Sequence, residues 1–272
     1  VITFPNCKIN LGLRIIGKRE DGFHNLETCF YPLSIKDVLE IIQSTESKIN
    51  FQSSGLAIDG DTNDNLCVKA YHLLKKDFPQ LPTIHMQLHK NIPMGAGLGG
   101  GSADGAFTLK LLNDKFHLQL STHQLIEYAL QLGSDCPFFI LNQPCIATSR
   151  GEVMTPLQLD LSNYQIMIIN SGIYISTAWA FKNILPRTQK KSIQTIIQQP
   201  IETWKEELHN DFELPVMKTY PSLQTIKEQL YSTGAIYAAM SGSGSTFYGI
   251  YTKEINPSFD FPENYFIKKV DL

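Results

Sequence analysis

A chain of 272 residues with 43% apolar and 18% charged side chains can bury a real core, in one large domain or two modest ones. A net charge of −3 offers no basic surface for nucleic acid, so a phosphorylated partner needs a locally basic site. The five cysteines are scattered without a C-x-x-C pair, and no apolar run approaches ~20 residues, which argues against a disulfide scaffold, a structural zinc site and a membrane span and favours a reducing cytoplasmic setting.

Pro5 to Ile16 reads as a strand of period two. Cys7, Ile9, Leu11, Leu13 and Ile15 share one face, expected to be core; Lys8 and Asn10 are neighbours on the other, ~6.6 Å apart at ~3.3 Å rise per residue. That second face is either solvated or part of a site. Gly17 to His24 is a turn with two glycines. Thr28 to Gln43 suits two strands about a turn at Ser34–Asp37. Asp64 or Asn65 can cap a helix from Leu66 to Phe78, which Pro79 stops. Ile84 to His89 alternates as a strand, and Lys90 after it either meets phosphates or is solvated.

Next comes Asn91-Ile92-Pro93-Met94-Gly95-Ala96-Gly97-Leu98-Gly99-Gly100-Gly101-Ser102-Ala103-Asp104-Gly105, with five glycines between Gly95 and Gly101. A helix over Ala103–Phe116 follows, so the glycines make a strand-to-helix turn. Five of them are costly in chain entropy for a mere connection. Converging backbone N–H groups beside a helix N-terminus favour a phosphate. No Gly-Lys-Ser/Thr closes the run, which excludes a Walker A loop. Gly95, Gly97 and Gly100 satisfy a dinucleotide fingerprint only nominally, since Pro93, the extra glycines and the position far into the chain argue against it.

Ser121 and Gln124 open a capping-box helix that Gly133 stops. Asp135, before Pro137, stands at an element start as a cap, a base, or both. The chain turns at Ser149–Glu152, and a domain boundary is expected there, giving domains 1–153 and 154–272. Tyr164–Asn170 is an apolar strand, and Ser176-Thr177 leads into a short helix holding Trp179, Phe181 and Lys182. Residues 186–215 read as surface helices, and Ser222 as the cap of a helix ending by Gly234. Ser241-Gly242-Ser243-Gly244-Ser245 lies between strands Ala235–Met240 and Thr246–Tyr251, too tightly for a linker, and reads as a backbone nest near phosphates. Strands and helices mix without strict βαβ alternation, which suggests an α+β fold.

Pro93 to Ser102 resembles the P-x-x-x-G-L-G-S-S-type ATP loop of the GHMP kinases, those of galactose, homoserine, mevalonate and phosphomevalonate. The resemblance recurs from residue 5 to about residue 250 and is strongest to the branch acting on a cytidine-diphosphate-linked small alcohol of the non-mevalonate isoprenoid pathway. Cys7-Lys8-Ile9-Asn10-Leu11-Gly12-Leu13 matches that branch's A-K-x-N-L-x-L, Gly17 to His24 its G-x-R-x-D-G-Y-H, and Gly133-Ser134-Asp135-Cys136-Pro137 its G-x-D-V-P. The resemblance implies two domains, an N-terminal ATP-binding domain of ribosomal-protein-like topology and a ferredoxin-like C-terminal one. It implies ATP as co-substrate and Mg2+, with Ser102 a candidate ligand.

Roles follow from the same resemblance. Lys8 and Asp135 are the catalytic pair, Lys8 stabilising the transferred group and Asp135 orienting the acceptor hydroxyl and taking its proton. Pro93, Met94, Gly95, Ala96, Gly97, Leu98, Gly99, Gly100, Gly101, Ser102 and Ala103, with Asn65 and Lys90, are ATP-side positions. Asn10, Phe23, His24, Phe181, Lys182, Ser241, Gly242, Ser243 and Gly244 are substrate-side positions, Phe181 stacking on the cytosine. Phe23 replaces the usual Tyr, and Ala103 the second serine after the triple glycine, so two hydroxyls are absent. Neither nucleic acid nor membrane is an expected partner, and the expected state is a monomer or weak homodimer. A sibling kinase of another small alcohol and a non-catalytic nucleotide-binding homologue are the alternatives.

Overall fold

The computed structural model describes residues 1–184 and 191–272. In chain order the strands are β1 (Ile2–Thr3), β2 (Asn6–Lys18), β3 (His24–Lys36), β4 (Val38–Gln43), β5 (Asn50–Gly55), β6 (Ile84–Lys90), β7 (Cys145–Ser149), β8 (Val153–Pro156), β9 (Tyr164–Asn170), β10 (Tyr237–Met240), β11 (Phe247–Thr252) and β12 (Phe266–Asp271). The helices are α1 (Leu66–Asp77), α2 (Gly100–Lys115), α3 (Thr122–Leu132), α4 (Cys136–Leu141), α5 (Thr177–Lys182), α6 (Ile193–Ile197), α7 (Trp204–Glu207), α8 (Glu213–Thr219) and α9 (Ser222–Ser232).

These elements form two compact units that interleave along the chain. One comprises Val1–Cys7, Ser34–Met94 and Gly99–Gln143; the other comprises Lys8–Leu33, Gly95–Leu98 and Pro144–Leu272. The break expected after residue 153 falls inside the β7–β8 hairpin. Strand pairing holds β7 to β3 and β8 to β7, so the units part at Gln143 instead.

The first unit is a sheet in the order β1-β4-β6-β5, antiparallel except that β5 runs parallel to β6. On β6, Ile84, Met86, Leu88 and Lys90 share the buried face, as period two requires. Leu39 and Ile41 pair with Leu88 and Met86 and are buried with them. Helices α1 to α4 complete the unit, α2 lying against α1, α3 and α4. Gly105 in the first turns of α2 has a packing reason. A Cβ there would come within 2.9 Å of the Leu66 Cβ, so the glycine lets α1 approach closely, and this offsets its helix cost of ~1 kcal/mol.

The second unit holds two four-stranded sheets, β2-β3-β7-β8 and β10-β11-β9-β12. Leu13 and Ile15 of β2 join a core with Met167, Ile169, Phe247 and residues of α8 and α9. The expected core face of β2 is buried throughout, and the opposite face is buried too: Lys8, Asn10 and Arg14 are each 6% exposed or less. The solvated reading of that face therefore fails.

Several expectations are corrected. Helix α2 begins at Gly100, inside the glycine run, after Gly99 in left-handed conformation. Ser222 is the first helical residue of α9 rather than its cap; Pro221 takes the cap position with no side-chain bond. The helices after residue 191 keep an exposed face, with Gln194, Thr195, Lys205 and Glu206 in solvent, but they are amphipathic, since Ile193, Ile196, Ile197, Ile201 and Trp204 are buried; residues 186–190 of that stretch lie outside the described residues. Strands β1, β5 and β12 carry no clear alternation of their own and were legible only once paired.

Candidate active site

Gly95–Leu98 lie on the second unit. Three bonds fix them there. Lys8 N donates to Leu98 O at 2.9 Å, Ser241 Oγ to Gly97 O at 2.8 Å, and Thr246 N to Ala96 O at 3.2 Å. Gly97 has φ +77, and a Cβ on it would fall 2.1 Å from Ser241 O. Only glycine lets the two backbones touch here. Ser241 Oγ also accepts from Asn10 N at 3.2 Å. The Lys8 ammonium donates to Asn10 Oδ1 at 2.6 Å and stands 4.7 Å above the Phe30 ring. Asn10 Nδ2 in turn donates to Thr28 Oγ1 at 2.9 Å. Lys8 and Asn10 are thus oriented by packing and by bonds rather than left mobile.

The Ser241–Gly244 turn has φ +56 at Gly242 and φ +93 at Gly244. Its support comes from a residue that sequence reasoning missed. Asn210 Nδ2 donates to Met240 O at 2.7 Å and to Gly242 O at 2.8 Å. A lone asparagine in a polar stretch carries no local signal of that role. Ser243 Oγ lies 3.0 Å from Thr177 Oγ1 at the start of α5.

His24 and Phe181, taken from motifs far apart in sequence, stack on each other with centroids 5.0 Å apart and planes 21° from parallel. Phe181 also meets Phe212 edge to face at 4.9 Å. Burial, then the charge of Lys18, lowers the His24 pKa, so the imidazole favours its neutral form. Phe23 is half exposed and Lys182 exposed at the end of α5.

The first unit carries the rest. Ser102, in the first turn of α2, hydrogen-bonds the Cys136 thiol, whose pKa is pushed up to about 12, chiefly by burial and further by Asp135. Asp135 occupies the cap position of α4 with φ −85 and ψ −16, and its side chain makes no capping bond. Of the two uses open to it, the cap is therefore not taken. Ala103 is fully buried. A cavity of about 220 Å³ opens beside this helix start, lined by Phe51, Ile58, Asn65, Leu66, Met94 and Gly101 among others. Asn65 both lines it and caps α1, its Oδ1 accepting from Cys67 N at 2.9 Å. Asn65→Ala is expected to cost about 1 kcal/mol of stability by thermal melting.

Lys90 meets neither of its expected environments. It is 1% exposed, and its ammonium bonds Asp37 Oδ2 and, at 2.7 Å, Asp104 Oδ2. The inward face of β6 carries it there, and a charge so committed is not available to ATP phosphates.

Among the described residues no helix is long and apolar enough to cross a membrane, and no three His, Cys, Asp or Glu side chains group as a metal site. The chain matches the family descriptions "GHMP kinases N terminal domain" over residues 65–143 and "GHMP kinases C terminal" over residues 192–258. It is 51% identical to the 4-diphosphocytidyl-2-C-methyl-D-erythritol kinase of Bacteroides fragilis, over 93% of each chain. It is 50% identical to the kinase of the same name from Bacteroides thetaiotaomicron, over 99% of each. A crystal structure of 4-(cytidine 5'-diphospho)-2C-methyl-D-erythritol kinase superposes with a TM-score of 0.80 at 29% identity, covering 92% of this chain and 89% of that one.

Proposed function

The chain belongs to the GHMP kinases, among the 4-diphosphocytidyl-2-C-methyl-D-erythritol kinases, and on that premise we propose how its residues perform the family's reaction. The reaction is ATP-dependent phosphorylation of the substrate's 2-hydroxyl, giving the 2-phosphate and ADP, in the non-mevalonate isoprenoid pathway. The hydroxyl oxygen forms a bond to the γ-phosphorus, the bond from that phosphorus to the β,γ-bridging oxygen breaks, and the hydroxyl proton leaves to a base.

The observation that carries the assignment of roles is the bonded chain Lys8–Asn10–Ser241–Gly97, which, with the Lys8 N to Leu98 O bond, ties a strand carrying a buried lysine to the glycine loop. Phosphoryl transfer needs in-line positioning and charge neutralisation more than covalent help. The loop's N–H groups hold ATP phosphates. Lys8 neutralises charge on the transferred group, at fixed geometry and without reorganisation. Asp135 orients the acceptor hydroxyl and takes its proton. The cavity lined by Asn65 and Met94 suits the nucleoside of ATP. Phe181, His24 and Phe23 take the cytosine, and the Ser241–Gly244 turn takes substrate phosphate.

Mg2+ fits the donor set. Mg2+ typically takes phosphate oxygens and waters with one or two protein oxygens, and a hydroxyl in the first turn of α2 is such a donor. Ser102 is the hydroxyl that would serve. The ion would supply charge neutralisation to the ATP phosphates. The cytoplasm is the setting we assign.

The test is a phosphotransfer assay with ATP and Mg2+, offering the cytidylylated alcohol beside mevalonate and homoserine. Turnover is expected with the first alone; comparable turnover of either other alcohol would sink the reading. Phe181→Leu should raise KM for the cytidylylated substrate about tenfold, through lost stacking, with kcat nearly unchanged.

A further inference from the structure

Phe23 has lost the hydroxyl that its Tyr counterpart would use as a polar handle, and its ring is 53% exposed. An exposed ring on a turn has several rotamers open to it and loses entropy when a base stacks on it. Yet this ring is not left to itself. The Arg150 guanidinium carbon stands 5.0 Å from its centroid. Arg150 is held in turn, since its Nε donates to Glu152 Oε1 at 3.4 Å and its backbone N to Glu152 Oε2 at 2.7 Å.

The contact closes a circuit. Ser149 Oγ donates to Glu152 Oε1 at 3.1 Å, and Arg19 Nη1 donates to Ser149 Oγ at 3.2 Å. Arg19 N donates to Phe23 O at 2.8 Å, and Phe23 N to Asp21 Oδ1 at 3.1 Å, with Asp21 paired to Arg19 Nε at 3.0 Å. The turn between β2 and β3 and the turn between β7 and β8 are therefore one bonded unit with Phe23 at its open end. Burial would raise the Glu152 carboxyl, but bonds from the Glu152 and Arg150 backbones, the Ser149 hydroxyl and the Arg150 side chain outweigh it and hold the pKa low. The anchor of Arg150 thus stays charged at neutral pH.

We propose that Arg150 is a positioning residue for the cytidine end of the substrate, fixing the Phe23 ring by a cation–π contact in place of the missing tyrosine hydroxyl. The proposal rests on the functional reading above. Arg150 acts through Phe23 and touches no reacting atom. A planar guanidinium suits the task because it lies flat on a ring and still bonds a carboxylate at its edge, which an ammonium does less well.

Cytidine diphosphate and ADP serve as binding probes, and the full reaction supplies KM and kcat. Arg150→Met keeps an apolar side chain over the ring and removes the cation. It should weaken cytidine diphosphate binding and raise KM for the cytidylylated substrate about fivefold, the scale of a partly exposed cation–π contact. ADP binding and kcat should not change. Arg150→Lys should recover part of the loss, and it serves as the reporter if Arg150→Met fails to fold. In a Phe23→Leu background Arg150→Met should add less than about a twofold change, because its target is gone. An unchanged cytidine diphosphate affinity, an equal effect in the Phe23→Leu background, or a fall in kcat alone would overturn the proposal. A wild-type protein that ignores the cytidylylated alcohol overturns the functional reading itself, and that control is read before any variant.

Discussion

Asp135→Asn lowers turnover by about 10³-fold and leaves ATP affinity within about twofold of wild type. The substitution is isosteric, and asparagine has no capacity to take the hydroxyl proton. Helix α4 is not expected to suffer, because the Asp135 side chain makes no capping bond and Pro137 within the first turn presets the backbone. Single-turnover phosphotransfer beside ATP titration separates chemistry from binding. If the transition state is loose, the proton leaves late and orientation supplies most of the effect, which asparagine partly preserves; the loss then shrinks toward ~10²-fold. Turnover close to wild type would remove Asp135 from the chemistry altogether.

Lys90→Met destabilises the protein by about 3–5 kcal/mol, the cost of stranding buried carboxylates without their cation. Asp37 is fully buried, and its Oδ1 accepts from Asn91 N at 2.6 Å and Ile92 N at 2.9 Å, so it ties β4 to the chain leaving β6. Asp104 is the weaker member. Its pKa is pushed up to about 8, first by burial, against the pull of Lys90 and with the push of Asp37, and its Oδ1 has no bonding partner. An acid whose folded pKa is raised binds more protons folded than unfolded, so its contribution falls as pH rises above the unfolded value near ~4. Removing Lys90 takes away the one attraction that lowers Asp104, and the deficit of the variant should therefore narrow toward pH 5. At roughly 2–4 °C per kcal/mol for a chain of this size, the melting midpoint at pH 7.5 should drop by about 10 °C. Adding Asp104→Asn should recover part of that. A midpoint within about 2 °C of wild type would mean that the triad is not what holds β4, β6 and α2 together.

The two variants probe different levels of organisation. Asp135 stands in a motif readable from five consecutive residues. Lys90 does not, and its misreading is instructive. Lys90 continues the inward alternation of Ile84, Met86 and Leu88, which on periodicity alone places it in the core. A lysine there requires buried carboxylates, and its two partners are 53 and 14 positions away. Charge type argued for the surface and register for the interior; register prevailed because Asp37 and Asp104 were waiting.

Signals that act within one turn or one strand were legible in the chain itself. The alternation of β2, the Ser121–Gln124 capping box, the Asn65 cap and a glycine run opening a helix depend on backbone geometry over three or four residues, and sequence states that geometry directly. The roles proposed for Lys8, Asn10, His24, Asp135 and Phe181 rest on the family resemblance of their motifs rather than on local geometry. Only tertiary structure decided that both faces of β2 are buried, that Asn210 carries the Ser241–Gly244 turn, that His24 lies on Phe181, and that Arg150 covers Phe23. Each of those contacts joins segments separated by long loops. The cost of closing a loop hardly depends on what lies inside it, so no local pattern marks where its ends will meet.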